Sequence, residues 1–346
     1  MKFDATLPPD PDGLSAAARR LEAEGYDGLW MGELAHDPFL LSLRAIDATE
    51  RVTVGTSVAI AFARTPMTLA NTAYDLARYG RGRFVLGLGS QIKPHIERRF
   101  SMPWSRPAAR MREFVLALRA IWGSWQDGSR LDFRGEFYTH TLMTPMFAPQ
   151  PHEWGPPPVY LAGVGELMTA VAGEVGDGFF LHAFTTSRYA EEVTRPALLR
   201  GRVAAGHDGL DGFGISGPSF VAIGRDEAEL ATAVAGTKKQ IAFYASTPAY
   251  RPVLDLHGWG DLQPELTALS KQGRWDEMTG LIDDPMLEAF AVVGPPAEAG
   301  RAFAKKLAGV VDRATAYAPY KIDPALWPEF LSAARAASAS EGSSRW

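Results

Sequence analysis

Short apolar runs alternate along the chain with longer segments in which apolar residues recur every three or four positions. The short runs predict β-strands, because the strands of a sheet covered on both faces are almost continuously apolar. The longer segments predict amphipathic helices. We place the strands at 2–7, 27–31, 52–57, 83–87, 159–162, 178–182, 219–223 and 313–317.

This alternation predicts an α/β protein. Strand–helix units imply a parallel sheet, and eight units are the number that closes a (β/α)8 TIM barrel. We expect one domain over residues 1–346. Insertions near 91–158 and 247–285 exceed ordinary loop length and should lie at the C-terminal face of the barrel. The first of them holds a predicted helix near 107–126 and a predicted hairpin within 131–141.

Composition narrows the classes of function. The 35 Lys and Arg residues against 40 Asp and Glu residues leave a net charge of −5, so we expect no nucleic-acid partner. The absence of cysteine excludes disulfides and thiolate metal sites. The amino terminus lacks an apolar signal core, and no apolar run approaches the ~20 residues of a membrane span. We therefore expect a soluble, cytoplasmic protein without a membrane partner.

Two Gly-x-Gly segments follow predicted strands, at Gly87-Leu88-Gly89-Ser90 and at Gly163-Val164-Gly165. Glycine lets the backbone approach a ligand closely, and a helix that begins beside Gly165 would offer free N–H groups to a phosphate. Neither segment completes the Gly-x-Gly-x-x-Gly pattern of dinucleotide-binding folds. The alternative is that these glycines only allow tight turns between strand and helix.

Three stretches in this order resemble one family: DGLWMGE, TERVTVGTSVAIAFARTPMTLANTAYDLARYGRGRFVLGLGS and PPVYLAGVGELMTAVAGEVGDGFFLH. They are similar to the luciferase-like flavin and deazaflavin oxidoreductases, and specifically to the branch that uses coenzyme F420. The resemblance extends to the final VVDRATAYAPYK segment. It implies a TIM barrel that transfers a hydride between F420 and a small-molecule substrate.

The resemblance also implies where the cofactor binds. A non-prolyl cis peptide at Ser57-Val58 would form a bulge that supports the middle ring of the deazaflavin. An acid or polar group is common after the second strand, where this chain has Glu33, and His95 stands where some members have Asn. The full set of expected cofactor-binding residues is Glu33, Ser57, Val58, Ser90, Gln91, His95, Gly163, Val164, Gly165 and Met168.

Departures from the family pattern concern the acid–base groups. Sugar-phosphate dehydrogenases of the family carry a His after the strand-two acid and a Glu after the strand-four turn, whereas this chain has Leu34 and Ile92. These departures argue against that activity. His36 and His182 are the catalytic candidates, since imidazole exchanges protons near neutral pH. Alternatively, His36 only lines a loop in which Asp37 caps a helix, and His182 is a hydrogen-bonded strand-end residue.

Aromatic residues in or beside the two insertions either form a wall around a substrate or pack the insertions on the barrel: Trp104, Tyr244, Tyr250, His257 and Trp259.

Other functions also remain open. An FMN-dependent monooxygenase would share the ring and phosphate sites, although the Gly-Arg-Phe stretch at 82–84 favours F420. A metal-dependent barrel hydrolase or isomerase would need converging ligands, and the 7 histidines form no His-x-His or His-Glu-x-x-His pair, so we expect no metal. A non-enzymatic F420 carrier is a further alternative. The resemblance implies a homodimer.

Overall fold

The computed structural model describes residues 1–342. Its strands are β1 (Lys2–Thr6), β2 (Gly28–Met31), β3 (Thr53–Thr56), β4 (Ala59–Ile60), β5 (Phe84–Gly89), β6 (Phe133–Arg134), β7 (Thr139–His140), β8 (Val159–Ala162), β9 (Gly178–Phe180), β10 (Gly214–Ile223), β11 (Ala291–Gly294) and β12 (Arg313–Tyr317).

The α-helices are α1 (Leu14–Ala23), α2 (Pro38–Ala48), α3 (Pro66–Tyr79), α4 (Pro107–Gln126), α5 (Glu166–Val175), α6 (Ser187–Tyr189), α7 (Arg195–Ala204), α8 (Glu227–Ala245), α9 (Arg251–Leu256), α10 (Leu262–Lys271), α11 (Trp275–Gly280), α12 (Asp284–Phe290), α13 (Pro296–Leu307) and α14 (Trp327–Gly342). Short 3₁₀ turns lie at Ala61–Ala63, Pro145–Phe147, Pro248–Tyr250 and Pro324–Leu326, and π-helical turns at His95–Arg99 and Ala190–Thr194.

Local capping chemistry sets the start of several helices. Asp37 precedes Pro38, the first residue of α2, and its Oδ1 accepts the N–H groups of Phe39 and Leu40. Thr65 caps α3 in the same way, ahead of Pro66. Proline suits the first helical position because its missing N–H would have no partner there. These signals are local, because each capping side chain and the N–H groups it accepts lie within three residues of one another.

The chain contains two compact units. The amino-terminal unit comprises residues 4–180 and 197–214, and the carboxy-terminal unit comprises residues 1–3, 181–196 and the chain from 215 onwards. In the amino-terminal unit the parallel strands follow the order β1, β2, β3, β5, β8, β9, and the short β4 pairs with β5. Because these strands are parallel, their carboxyl ends meet at one edge of the sheet.

In the carboxy-terminal unit, β10 pairs in parallel with two strands. Its first half pairs with β12, from Ser216 opposite Arg313, and its second half pairs with β11, from Phe220 opposite Ala291. Helices α8 to α12 and β11 supply much of a buried apolar cluster, which includes Phe184, Phe220 and Phe290.

The fold is the predicted (β/α)8 barrel of parallel strands and flanking helices. The predicted helix near 107–126 is α4, and the predicted hairpin is the antiparallel pair β6–β7. No helix within residues 1–342 is long and apolar enough to cross a membrane.

Several strand boundaries differ from the prediction. β5 continues to Gly89, β9 ends at Phe180 so that His182 lies beyond it, and β10 begins at Gly214. The prediction missed β11, which follows α12 without an intervening residue. No turn residue separates this four-residue apolar run from the helix before it, so the sequence pattern predicts a continuation of that helix instead of a strand.

Candidate active site

The peptide bond between Ser57 and Val58 is cis, as the resemblance implied. It follows β3, where Ser57 is exposed and Val58 is half-buried against an aromatic cluster around Trp30. The Ser57 N–H donates to the Met31 carbonyl at 2.7 Å, and the Val58 carbonyl accepts the Glu33 N–H at 3.2 Å. These bonds hold the cis peptide against the end of β2, at the edge where the parallel strands of this unit end.

The Glu33 carboxylate is fully engaged. Its Oε2 accepts from Arg64 Nη1 at 2.7 Å and from the Ile60 N–H at 2.7 Å, and its Oε1 accepts from Arg64 Nη2 at 3.0 Å. Arg64 also pairs with Asp37 at 3.1 Å and lies 5.0 Å from the Phe39 ring centroid. Only 7% of the Glu33 side chain is exposed, and its hydrogen bonds brace the segment that follows the cis peptide. Its contact with a cofactor stays a prediction.

Gly87 and Gly89 lie inside β5, which corrects their placement in a turn after that strand. A Cβ at Gly87 would overlap the Thr56 carbonyl oxygen. Thr56 Oγ1 also bonds to both backbone groups of Gly87, at 2.7 and 3.0 Å. A Cβ at Gly89 would lie 2.7 Å from Val58 Cγ2. Close packing of β5 against β3 and Val58 accounts for both glycines.

The expected cofactor residues Ser90, Gln91 and His95 occupy one segment after β5. Ser90 Oγ donates to the Gln91 carbonyl at 3.1 Å, and the Gln91 side chain accepts the Ile92 N–H at 3.1 Å. Gln91 has a φ of 58°, a left-handed conformation that is uncommon outside glycine. His95 is exposed at the start of a π-helical turn. The segment follows a strand that pairs with β3, so it leaves the same edge of the sheet as the cis peptide.

The turn after β8 leaves the start of α5 open. Gly165 has a φ of 87° and precedes α5 without a side-chain cap. A Cβ built there would meet no atom within 4 Å, and 42% of Val164 is exposed. Met168 is buried, and its side chain occupies the space that a Cβ at Gly163 would need. The space beside the uncapped first turn of α5 is therefore open, and binding of a phosphate there stays a prediction.

His36 is exposed in the loop that joins β2 to α2. Asp37 caps α2, which agrees with the alternative reading of this loop. A role for His36 in proton transfer stays a prediction.

His182, in the carboxy-terminal unit, has a defined tautomer. Its Nδ1 accepts the Phe184 N–H at 3.0 Å, so the neutral ring carries its proton on Nε2. Nε2 lies 3.1 Å from the Tyr250 hydroxyl and therefore donates to it, and the two rings stack at 4.6 Å. Burial lowers the pKa of His182 to about 4. The imidazole is therefore neutral near pH 7, and proton transfer by His182 stays a prediction.

The aromatic residues in and beside the second insertion pack on the core of the carboxy-terminal unit. Tyr244, Tyr250 and Trp259 lie against its buried apolar cluster, and His257 stacks on Trp259 at 4.5 Å. Burial raises the pKa of Tyr250, which keeps its hydroxyl protonated. This arrangement agrees with the packing alternative for these residues.

A cavity of about 350 Å³ lies elsewhere in the carboxy-terminal unit, and none of the predicted site residues lines it. Its acidic residues Glu229 and Asp323 both pair with Arg225. Across the described chain, up to residue 342, no three His, Asp or Glu side chains converge as they would around a metal ion.

Comparison with known proteins identifies a matching family model and several relatives of this chain. The model of the luciferase-like monooxygenase family matches residues 3–313. An uncharacterised protein of Mycobacterium tuberculosis is 55% identical over 313 residues, which cover 90% of this chain and 92% of the relative. A putative coenzyme F420-dependent oxidoreductase of the same species is 29% identical over 269 residues, which cover 71% and 73% of the two chains.

Solved structures share the fold. The F420-dependent tetrahydromethanopterin reductase of Methanopyrus kandleri superposes with a TM-score of 0.77 at 20% identity, covering 95% of this chain and 96% of that one. The EDTA monooxygenase of Chelativorans superposes with a TM-score of 0.71 at 16% identity, covering 99% and 94%. The chain therefore belongs to the luciferase-like monooxygenase family, whose members are oxidoreductases or monooxygenases.

Proposed function

We propose that the protein is an F420-dependent oxidoreductase that transfers a hydride between the deazaflavin and a small organic molecule. One observation supports this most: an exposed cis peptide at Ser57-Val58 lies at the same sheet edge as the uncapped start of α5. The first offers a backbone surface to a flat ring, and the second offers N–H donors to a phosphate. The F420-dependent oxidoreductase among the relatives supports the choice of cofactor.

The residues of the amino-terminal unit fit such a group. At Gly165 the space around the missing Cβ is open, so an anion can approach the N–H groups of the first turn of α5. Glu166, the acidic residue of that turn, forms an ion pair with Arg200, which offsets its negative charge. Val58 would support the ring, and Glu33 and Arg64 would hold Val58 in place.

When bound, F420 supplies a two-electron carrier: its reduced ring gives a hydride to a substrate carbon and is oxidised, or the reverse, with one proton exchanged with solvent. The chain itself contributes orientation and exclusion of water. His182 donates a hydrogen bond from Nε2 to Tyr250. Because burial lowers its pKa to about 4, the imidazole carries no positive charge near pH 7.

The test is a paired titration of the purified protein with F420 and with FMN under matched conditions, following the fluorescence of each cofactor. We expect tight binding of F420 and weak binding of FMN. The reverse result would favour the alternative, an FMN-dependent monooxygenase, and would overturn the proposal.

Two glycine variants locate the site. Gly165→Ala should weaken F420 binding about tenfold, because alanine disfavours the positive φ that opens the start of α5. Gly128→Ala is the matched control, since Gly128 also has a positive φ and open space around its missing Cβ. Equal affinities of the two folded variants would remove the phosphate assignment.

A further inference from the structure

Apolar side chains are exposed after neighbouring strands of the amino-terminal unit. Leu34 follows β2 and is 63% exposed, Ile92 follows β5 and is 56% exposed, and Val164 follows β8 and is 42% exposed. The half-buried Val58 follows β3, which lies between β2 and β5. A single exposed Leu or Ile is ordinary on a protein surface, but apolar residues repeated at one sheet edge indicate a binding surface.

Two of these loops touch each other. Arg99 Nη2 donates to the Leu34 carbonyl at 3.0 Å, and the Ile96 N–H donates to the Ile92 carbonyl at 3.2 Å. Arg99 and Ile96 belong to the same π-helical turn, so this turn links the loop of Leu34 to the loop of Ile92. The loops that carry the two apolar side chains are therefore joined, and both follow strands that end at the sheet edge of the cis peptide.

Three of the charged side chains near Leu34, those of Glu33, Asp37 and Arg64, are committed to one another. Arg64 pairs with both Glu33 and Asp37, and Asp37 also caps α2. Recognition of a phosphate or carboxylate needs a cation that is not already paired with an acid. On the other side, Lys93 pairs with Glu97 at 3.8 Å, and Arg98 is an exposed cation of the same segment. Arg99, which donates to the Leu34 carbonyl, is exposed as well, and no ion pair with an acid is found for either arginine in the described chain. An anionic substrate therefore has to be tested against both Arg98 and Arg99.

We propose that Leu34 and Ile92 form the substrate-contacting wall of the F420 site and select an uncharged organic molecule with an apolar body. This inference rests on the proposed function for the reaction itself. Neither Leu34 nor Ile92 can exchange a proton, unlike the His and Glu that sugar-phosphate dehydrogenases of the family carry at these positions. The two side chains therefore contribute shape, apolar contact with the substrate and exclusion of water.

The experiment measures binding of an uncharged aromatic ketone, 6-propionyl-2-(dimethylamino)naphthalene, whose emission moves to the blue in apolar surroundings. The full chain is titrated as wild type and as the double variant Leu34→Gln with Ile92→Gln. We expect the probe affinity of the double variant to fall about tenfold. Val203→Gln is the matched control, because Val203 is 64% exposed on α7, and it should bind the probe like the wild type.

The same proteins are titrated with F420 and assayed with matched uncharged and phosphorylated alcohols. Turnover of uncharged alcohols alone supports the inference, whereas preferred turnover of the phosphorylated ones, lost in Arg98→Gln or in Arg99→Gln, would overturn it. Probe affinity that is equal in the wild type and the double variant would also overturn it, even with F420 bound. Absence of F420 binding together with a Leu34- and Ile92-dependent probe site would instead defeat the proposed function and leave the apolar wall in place.

Discussion

At the scale of single residues, partners decide what a titratable side chain can do. Glu33 resembles an acid placed for a cofactor, yet both of its carboxylate oxygens accept hydrogen bonds from Arg64 and the Ile60 N–H. His182 resembles a proton donor, yet burial lowers its pKa to about 4. The sequence identifies both positions, but the partners lie 31 and 68 residues away, so no local pattern could show their state.

We expect Glu33→Ala to destabilise the protein by about 3 kcal/mol, because it leaves Arg64 without its buried partner and the Ile60 N–H without an acceptor. The free energy of unfolding in urea measures this. Glu24→Ala removes the exposed pair with Arg20 and should cost less than about 1 kcal/mol. Equal losses in the two variants would contradict the bracing role of Glu33.

His182 should make stability depend on pH. Its pKa is about 4 in the folded chain, below the 6.5 of a free imidazole, so the unfolded chain takes up the proton first as the pH falls. The stabilisation from this neutral group is therefore complete above pH 6.5 and is lost as the pH falls towards 4, by about 3 kcal/mol.

The measurement is the free energy of unfolding of the wild type and of His182→Gln between pH 7 and pH 4. The amide oxygen of glutamine can still accept a hydrogen bond but does not titrate in this range. The difference between the two curves should shrink as the pH falls. Parallel curves would show that His182 titrates normally.

At the scale of elements, β3 and β5 approach each other so closely that position 87 has no room for a side chain. Gly87 has the Thr56 carbonyl oxygen where a Cβ would stand, so the two strands rely on glycine at this point. The sequence shows that glycines stand here but does not show why, because glycine occurs both at close contacts inside strands and in turns. Caps such as Asp37 and Thr65 are predictable, since donor and acceptor are only a few residues apart.

We expect Gly87→Ala to cost about 3 kcal/mol or more, because the neighbouring atoms are backbone and cannot move aside cheaply. Gly123→Ala in α4 is the control: its Cβ would find its nearest neighbour at 3.8 Å, and alanine favours helix by about 1 kcal/mol. Thermal unfolding should therefore shift down for the first variant and up for the second. A tolerated Gly87→Ala would mean that β3 and β5 are not packed so closely.

At the scale of the whole molecule, the period of strands and helices predicts the (β/α)8 barrel, and most elements lie where the pattern places them. The candidate site was less accessible to prediction. Ser57, Val58 and Glu33 come together through backbone bonds between separate loops, and only family resemblance pointed to the cis peptide. Physical pattern alone contains no signal for such a bond.

We propose, from family resemblance, that the protein is a homodimer. Sedimentation equilibrium over a range of protein concentrations should then give about twice the chain mass of 37.6 kDa. A single mass of 37.6 kDa at every concentration would contradict this. The net charge of −5 is small enough that self-repulsion should not prevent association at moderate salt.

The neighbouring residues Glu33 and Leu34 differ in how freely evolution can replace them. A substitution at Glu33 removes the buried partner of Arg64, so selection would remove most such changes unless a second substitution arrived with them. Leu34 is 63% exposed, and its replacement costs the fold little. Under the proposal that Leu34 contacts the substrate, a lineage can therefore explore new substrates at position 34 one mutation at a time, while the residue beside it keeps the cis peptide in place.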